Sequence, residues 1–227
     1  MRYLFLAVCT SCVLAWYSSA LGQGGFVPYG QSGLGLEVGV SSGEQGAGYT
    51  VRGGASIQGM IDLGLKVEGV SMKIGGGSRA TGIGGDLTIH LLKDGGHNPL
   101  GLALEGFYEG LSFSQSISGY SNVASSGDAY GLGLMIYKTM RMTPNSNLVP
   151  IMEVGNSWTS TTTTQGFGQT RDNTKSSFLF DFDFAFAFLR KQKSVITITP
   201  GLSASEHQTS VHIIFGYIGL SGKQGDH

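Results

Sequence analysis

The chain has little of two features that often stabilise or anchor a folded protein: cysteine and long apolar runs. Its only cysteines, Cys9 and Cys12, lie near the start, so no disulfide can form in the rest of the chain. A domain of this length without disulfides is held together by packing or by hydrogen bonding. After residue 22, no apolar run reaches the ~20 residues that a membrane-spanning helix needs. The charges form no basic stripe, which argues against a nucleic-acid partner.

The first 22 residues have the layout of a secretory signal peptide. Arg2 gives a short positive region, residues 4–16 are apolar, and residues 18–22 are mostly small. About 13 apolar residues are too few for the ~20 of a spanning helix, which argues against a membrane anchor. We therefore expect this segment to be removed.

Cleavage after Ala20 and cleavage after Gly22 both fit the small residues at the end of this segment. A lipid anchor on Cys12 would need an aliphatic residue where Cys9 stands. The expected mature chain keeps all 15 acidic residues and loses one basic residue, which gives it a net charge of −2.

Glycine is abundant, and apolar residues recur at every second position along most of the chain. Glycine accounts for 38 of the 227 residues, against a usual ~7%. Period-two alternation indicates β-strands with one apolar face. Ten segments show it: 34–41, 49–58, 61–68, 83–91, 101–108, 130–137, 148–158, 177–188, 196–203 and 211–218.

The segment 177–188 alternates most clearly. Asp181 and Asp183 share one face with serine, leucine and alanine, whereas a helix would bury both among aromatic rings. The other face of the strand carries six phenylalanines: Phe178, Phe180, Phe182, Phe184, Phe186 and Phe188.

The connections between these segments alternate in length. Every second connection is compact: 59–60, 93–98, 141–147 and 190–193. Long connections are expected between them, at 69–82, 114–127 and 159–175. We therefore expect short turns at one end of the strands and long loops at the other, with an even strand count. The threonine-rich run 159–164 is expected to be a solvated loop, with a role in adhesion as the alternative.

A soluble β-sandwich and a membrane barrel both contain alternating strands. In a sandwich, six phenylalanines in register would have to fit a layer only ~10 Å thick, whereas facing lipid they need no such fit. The opposite faces carry mainly Gly, Ala, Ser and Thr with isolated charges, which suits a narrow barrel interior better than a solvated surface. The membrane barrel is the favoured interpretation.

This pattern resembles the small outer-membrane β-barrel proteins of Gram-negative bacteria, over residues 30–221. The resemblance rests on the pattern of strands and connections, without a residue motif. It implies an all-β, antiparallel up-and-down transmembrane barrel, with ten strands expected and eight to twelve as the range. It further implies a location in the cell outer membrane, contact with outer-membrane lipid and the barrel-assembly machinery, and no cofactor.

The resemblance divides the chain into a signal peptide, a periplasmic segment, the barrel and a polar tail. The expected bounds are 1–22, 23–32, 33–221 and 222–227. Barrels of this class usually end on an aromatic residue, whereas here a polar tail follows the apolar residues 215–220.

The alternation also assigns charged residues to the barrel interior. His90 and His212 fall nearer the strand ends, and seven acids face two permanent bases. The predicted interior charges are Glu37, Arg52, Lys66, Glu68, Asp86, Glu105, Glu153, Asp181 and Asp183. Such charges are costly unless they are paired, so the acids without a base must bind cations, stay hydrated or keep a proton.

The interior charges allow two functions. An ion-pair network that fills the barrel is typical of small barrels and leaves a structural or surface-exposed role in the envelope, with an extracellular ligand unidentified. A narrow, cation-preferring pore is the alternative, since the acids are in excess and interior glycines leave space beside them. The first is the preferred expectation.

An omptin-like surface protease is the remote alternative. Asp181 and Asp183 have the spacing that places two carboxylates on one face, but no Asp-x-His sequence occurs. The adjacent Glu206 and His207 would point to opposite faces of a strand. No pair of histidines has metal-ligand spacing, and the glycines at 75–77 lack the Lys-Ser or Lys-Thr of a phosphate loop. We therefore expect no enzyme activity and no metal.

Overall fold

The computed structural model describes residues 26–43, 46–72, 79–94, 98–115, 123–164, 170–191, 193–206 and 208–221. The expected signal peptide and the polar tail lie outside these residues. Within them the chain forms β-strands and no helix. No helix in this part of the chain is long and apolar enough to cross a membrane.

Eleven strands occur in the described residues, and ten of them have at least 12 residues. β7 is a four-residue strand. The strands are β1 Ser32–Gly43, β2 Gly46–Ile57, β3 Ile61–Met72, β4 Arg79–Leu92, β5 Gly101–Gln115, β6 Val123–Tyr137, β7 Met140–Thr143, β8 Ser146–Thr164, β9 Thr170–Arg190, β10 Ser194–Ser205 and β11 Gln208–Ser221.

The ten long strands pair with their chain neighbours and close into one barrel. β6 pairs directly with β8, and β7 forms a short hairpin with the start of β8. β1 pairs antiparallel with β11 along its whole length, from Ser32 opposite Ser221 to Gly43 opposite Ser210. The expected ten-stranded antiparallel up-and-down barrel is confirmed.

The two ends of the barrel differ. The N-terminal segment, the connections after β2, β4, β6 and β9, and the end of β11 lie at one end, which we name the turn end. The β2–β3 turn there is tight, with Met60 N donating to Ile57 O at 3.0 Å. Gln58 and Gly59 have positive φ in this turn. The connections after β1, β3, β5, β8 and β10 lie at the other end, the loop end.

The outer face of the barrel is a belt of exposed apolar side chains. Leu34, Leu65 and Ile83 are 72%, 76% and 69% exposed, and similar residues recur at every second position on the other strands. An exposed apolar surface of this extent is incompatible with water and suits lipid. The pairing of β1 with β11 closes the sheet, as a transmembrane barrel requires.

The expectation of long loops at 69–82, 114–127 and 159–175 is wrong. Strands fill at least half of each stretch: β3 continues to Met72, β5 to Gln115, and β8 and β9 cover all but 165–169 of the last. The threonine run 159–164 is therefore strand and not a solvated loop. Beyond the membrane neither strand face meets lipid, so the apolar alternation stops although the hydrogen-bonded ladder continues.

Candidate functional site

The nine predicted interior charges all lie on the inner face of the barrel and are almost fully buried. Lys66 and Glu153 are each 6% exposed, and the side chain of Asp86 is also 6% exposed. The other six residues are less exposed. Asp62 and Glu109, which are outside the predicted set, lie there too. The alternation in β5 does continue from Glu105 to Glu109, so this residue was readable from the sequence.

Arg52 joins three strands. Its Nε and Nη2 donate to Asp86 Oδ1 and Oδ2 at 2.7 and 2.6 Å, and its Nη1 donates to Glu37 Oε2 at 3.1 Å. The first pair is a two-pronged contact that reaches from β2 over β3 to β4. The guanidinium is planar and its five donors have fixed positions. The contact with Asp86 therefore also constrains the distance between β2 and β4.

Lys66 forms the second charged cluster. Its Nζ lies 2.7 Å from Glu109 Oε2 and 3.3 Å from Glu68 Oε2, and 5.6 Å from the centre of the Phe107 ring. The Lys66–Glu109 contact passes from β3 over β4 to β5. The two bases thus contact four carboxylates, and each pair runs along the wall of the barrel.

Glycines on the intervening strands leave the space for these contacts. A Cβ on Gly64 would overlap the Arg52 guanidinium and the Asp86 carboxylate, and a Cβ on Gly82 would overlap Glu109. Gly133 has the same relation to Glu153. The charged side chains therefore lie directly over the backbone of these interior glycines.

The two histidines of the inner face, His90 and His212, each contact an aspartate. His90 Nε2 lies 3.0 Å from Asp62 Oδ2, and its Nδ1 lies 3.0 Å from the Tyr137 hydroxyl. Neither histidine pair is visible in the sequence, because the partners are on different strands.

On the opposite wall, His212 Nε2 lies 2.9 Å from Asp183 Oδ1, over Gly201 of β10. Its Nδ1 lies 3.3 Å from Ser203 Oγ. A hydroxyl, an imidazole and a carboxylate in series are the groups of a hydrolytic triad. Here all three residues are at most 6% exposed, so a substrate cannot reach the hydroxyl.

The described residues contain no group of three or more His, Cys, Asp or Glu side chains that could hold a metal ion. Glu153 lies directly opposite Asp181 on the inner face, with Asp183 two residues further along β9. These carboxylates line the wall between β8 and β10.

Apolar side chains fill the interior towards the turn end. Met135, Tyr137, Val149 and Ile151 form a cluster with less than 3% exposure each. Ile218 belongs to a second cluster, which explains why β11 alternates less regularly than the other strands. The barrel interior is thus packed with apolar groups below the charged layer.

Residues 26–31, ahead of β1, fold into the turn end. Val27 is 1% exposed in the second apolar cluster, and Phe26 packs against both clusters. Gly30 N donates to Gln58 O at 3.0 Å, and Lys93 Nζ donates to Val27 O. The segment that was assigned to the periplasm from the sequence therefore closes this end of the barrel.

The strands end at different levels at the loop end, and β5 there is still paired with β4 up to Arg79 opposite Ser114. We name the protruding sheet residues 111–115 of β5, 123–128 of β6, 159–164 of β8 and 170–177 of β9. Its strands are paired up to Gln115 opposite Val123 and Thr164 opposite Thr170. β10, by contrast, ends at Ser205, opposite Leu179 of β9.

A row of aromatic residues marks the base of the protruding sheet. Tyr108, Tyr130 and Trp158 are directly opposite one another on three neighbouring strands. The Tyr130 and Trp158 rings stack at 5.5 Å, and the Tyr108 hydroxyl donates to Asp128 Oδ1 at 2.6 Å. Aromatic rows of this kind occur where a barrel leaves the hydrocarbon. Beyond the row, the outer face is polar.

The six predicted outer phenylalanines lie below this row on β9. Phe178, Phe182, Phe184 and Phe188 are exposed on the outer face. Phe180 and Phe186 point the same way and are half-buried. They form part of the apolar belt.

Replacing Gly64 by valine is expected to destabilise the barrel by about 3 kcal/mol, because the new side chain would break the buried Arg52–Asp86 pair. Valine at Gly53, a position with no atom within 4 Å of the added Cβ, is the matched control and is expected to be near neutral. Urea unfolding in detergent micelles measures both. Equal unfolding midpoints for the two variants would contradict the role of Gly64.

Lys93, in the β4–β5 connection, gives the turn end a pH dependence. Burial lowers the pKa of Lys93 from 10.5 to about 8, against the opposing effect of Asp62 and Asp94. Between these values the unfolded chain binds a proton that the native chain does not, so stability is expected to rise with pH in this range. The difference in unfolding midpoint between the native protein and Lys93→Met measures this. A difference that stays constant from about pH 8 to 10.5 would refute the expectation.

Comparison with known proteins gives matches in structure only. No protein-family model matches the chain, and no curated protein matches it in sequence. The translocator domain of the autotransporter NalP from Neisseria meningitidis aligns over 96% of this chain and 95% of its own, with 9% identity and a TM-score of 0.52. The outer membrane protease OmpT from Escherichia coli aligns over 84% and 97%, with 9% identity and a TM-score of 0.48. The attachment invasion locus protein Ail of Yersinia pestis aligns over 85% and 99%, with 11% identity and a TM-score of 0.40. The chain has the fold of the outer-membrane β-barrel proteins of Gram-negative bacteria, and its apolar belt fits that location.

Proposed function

We propose that the protein is a non-conducting, non-enzymatic outer-membrane barrel that acts at the cell surface through the protruding sheet. The observation that carries this proposal is the packed interior. The charged side chains at its middle are almost fully buried, and the apolar clusters and residues 26–31 pack at the turn end. A barrel closed in this way anchors a surface without passing solutes.

The orientation follows from the ends of the barrel. Outer-membrane barrels keep short turns in the periplasm and extend further on the extracellular side. Here the extension lies at the loop end, because strands continue there beyond the aromatic row. The turn end therefore faces the periplasm, and the protruding sheet stands outside the cell. Its polar outer face, with Ser126, Asp128, Thr174 and Ser176 exposed, suits water.

A narrow cation-preferring pore is the second candidate, because acids outnumber bases in the interior. Nine carboxylates face Arg52 and Lys66. The carboxylates are Glu37, Asp62, Glu68, Asp86, Glu105, Glu109, Glu153, Asp181 and Asp183. In this candidate the interior must first rearrange to admit water.

A protease or other hydrolase is disfavoured. Ser203, whose hydroxyl contacts a ring nitrogen of His212, is the candidate nucleophile, and it is 4% exposed. A nucleophile has to reach its substrate, and this one lies within packed side chains.

Planar bilayer recordings in concentrated KCl are expected to show no conductance steps from the native protein, because buried charged side chains and apolar clusters occupy the interior. Heat-modifiable gel mobility of the reconstituted sample provides the control for a folded, inserted barrel. A porin in the same bilayer controls for detection. Regular cation-selective steps would replace this proposal with the pore.

Labelling of single cysteines tests the orientation. Thr174→Cys in the protruding sheet is expected to react with a membrane-impermeant maleimide in intact cells. Asn145→Cys at the turn end is also exposed and is expected to react only after the cells are broken. Both native cysteines lie in the segment whose removal is expected. The reverse labelling pattern would place the turn end outside and contradict the proposal.

A further inference from the structure

One side of the protruding sheet ends in an unpaired strand edge. Residues 170–178 of β9 pair with β8, from Thr170 opposite Thr164 to Phe178 opposite Asn156. On the other side, β9 first meets β10 at Leu179, opposite Ser205. Within the described residues no strand pairs with 170–178 on that side. The free edge is roughly 30 Å long, at about 3.3 Å per residue.

The direction of the backbone groups along this edge follows from one hydrogen bond. Leu189 N donates to Asn145 O, which precedes β8, at 2.8 Å. Because N–H and C=O groups alternate sides along a strand, the odd-numbered residues of β9 face β8. The even-numbered residues therefore face β10, and above Leu179 they face the free edge. Thr174 and Ser176 present their N–H and C=O groups there.

The edge has few of the features that prevent a sheet edge from pairing with another chain. Its pairing with β8 runs without a register shift. It contains no proline, and no residue in it has a positive φ. Natural edge strands are usually shortened, bulged or interrupted to prevent pairing with other chains. Residues 170–177 of this long, regular edge lie outside the run of outward-facing phenylalanines and are available for pairing.

The occupant is not a second copy of the barrel in the same membrane. A two-fold axis along the membrane normal relates such copies, so both β9 strands run in the same direction. Strands of these barrels tilt by about 35–45°, and the two edges would cross at about 70–90°. Strands that cross at this angle cannot share a ladder.

No described segment of the chain supplies the missing strand. β1 begins and β11 ends at the turn end, at the opposite side of the membrane. The connection between β10 and β11 consists of residues 206 and 207 alone. An occupant must therefore come from another polypeptide that is free to align with the tilted edge.

We propose that the free edge of β9 binds an extended segment of another polypeptide by antiparallel strand addition. The segment takes the place that β10 would fill if it continued, and antiparallel pairing is the stronger arrangement. Backbone hydrogen bonds provide the affinity, with the exposed Thr174 and Ser176 side chains flanking the added strand. This inference rests on the proposed orientation, since the edge must face the outside.

A synthetic peptide with the sequence of residues 156–164 is the probe, because that sequence already pairs antiparallel with 170–178 on the other edge of β9. Its binding to the full barrel in lipid nanodiscs is measured by fluorescence anisotropy of a labelled peptide, up to millimolar concentration. The same peptide with proline at alternate positions is the ligand control. It cannot form a ladder.

The decisive variants separate backbone from side chain. Thr174→Pro with Ser176→Pro removes two free-edge donors and leaves the β8 ladder intact, since proline is tolerated where an edge N–H faces solvent. It is expected to weaken binding at least tenfold. Thr174→Val with Ser176→Val keeps both donors, and binding is expected to stay within about twofold. Heat-modifiable gel mobility checks that both variants are folded.

Amide exchange gives an independent readout on the unaltered protein. Without peptide, the amides of Thr174 and Ser176 are expected to exchange faster than those of Lys175 and Ser177, and peptide is expected to slow them. No saturable binding, equal binding to the proline and valine variants, or uniform protection along 174–177 would each overturn the inference. The bilayer and labelling experiments are unaffected by these outcomes, so the proposed function is tested separately.

Discussion

Hydrocarbon cannot hydrogen-bond to the backbone, so every N–H and C=O within the membrane must find a partner in the protein. The pairing of β1 with β11 meets this requirement by removing the last edges of the sheet. Because the sheet is closed, alternate residues of each strand face either lipid or a narrow interior. The charged side chains that face inward must then be accommodated in that interior. Beyond the apolar belt the constraint lapses, and residues 170–177 of the unpaired β9 edge lie there.

The interior shows how charges are accommodated in a small barrel. The Arg52–Asp86 and Lys66–Glu109 pairs each pass over one intervening strand, and a glycine beneath removes the side chain that would obstruct them. Buried pairs are costly to form and more costly to break, so this arrangement favours one register over its neighbours. Interior glycines are thus required because they leave space for the charged side chains, and not only because glycine makes the backbone flexible.

The uneven strand lengths shape the loop end of the barrel. β9 is much longer than β10, and the difference lies entirely at the loop end. A barrel with level strands would present only loops there. This one presents a sheet with a stepped side, in which backbone groups and not particular side chains are available for recognition.

The sequence by itself determined the strands, their number and the face of each residue within the membrane, because lipid imposes a strict period of two. The phenylalanines of β9 and the inner carboxylates Asp181 and Asp183 follow from that period alone. Three features were decided only by the tertiary structure. The Asp183–His212 contact joins residues on separate strands, which spacing cannot reveal. Residues 26–31 close the turn end through packing that leaves no periodic signal. The strands at 159–164 and 170–177 continue in water, where both faces are polar. Hydrogen bonding between strands maintains them there, so the sequence shows no apolar alternation that would predict them.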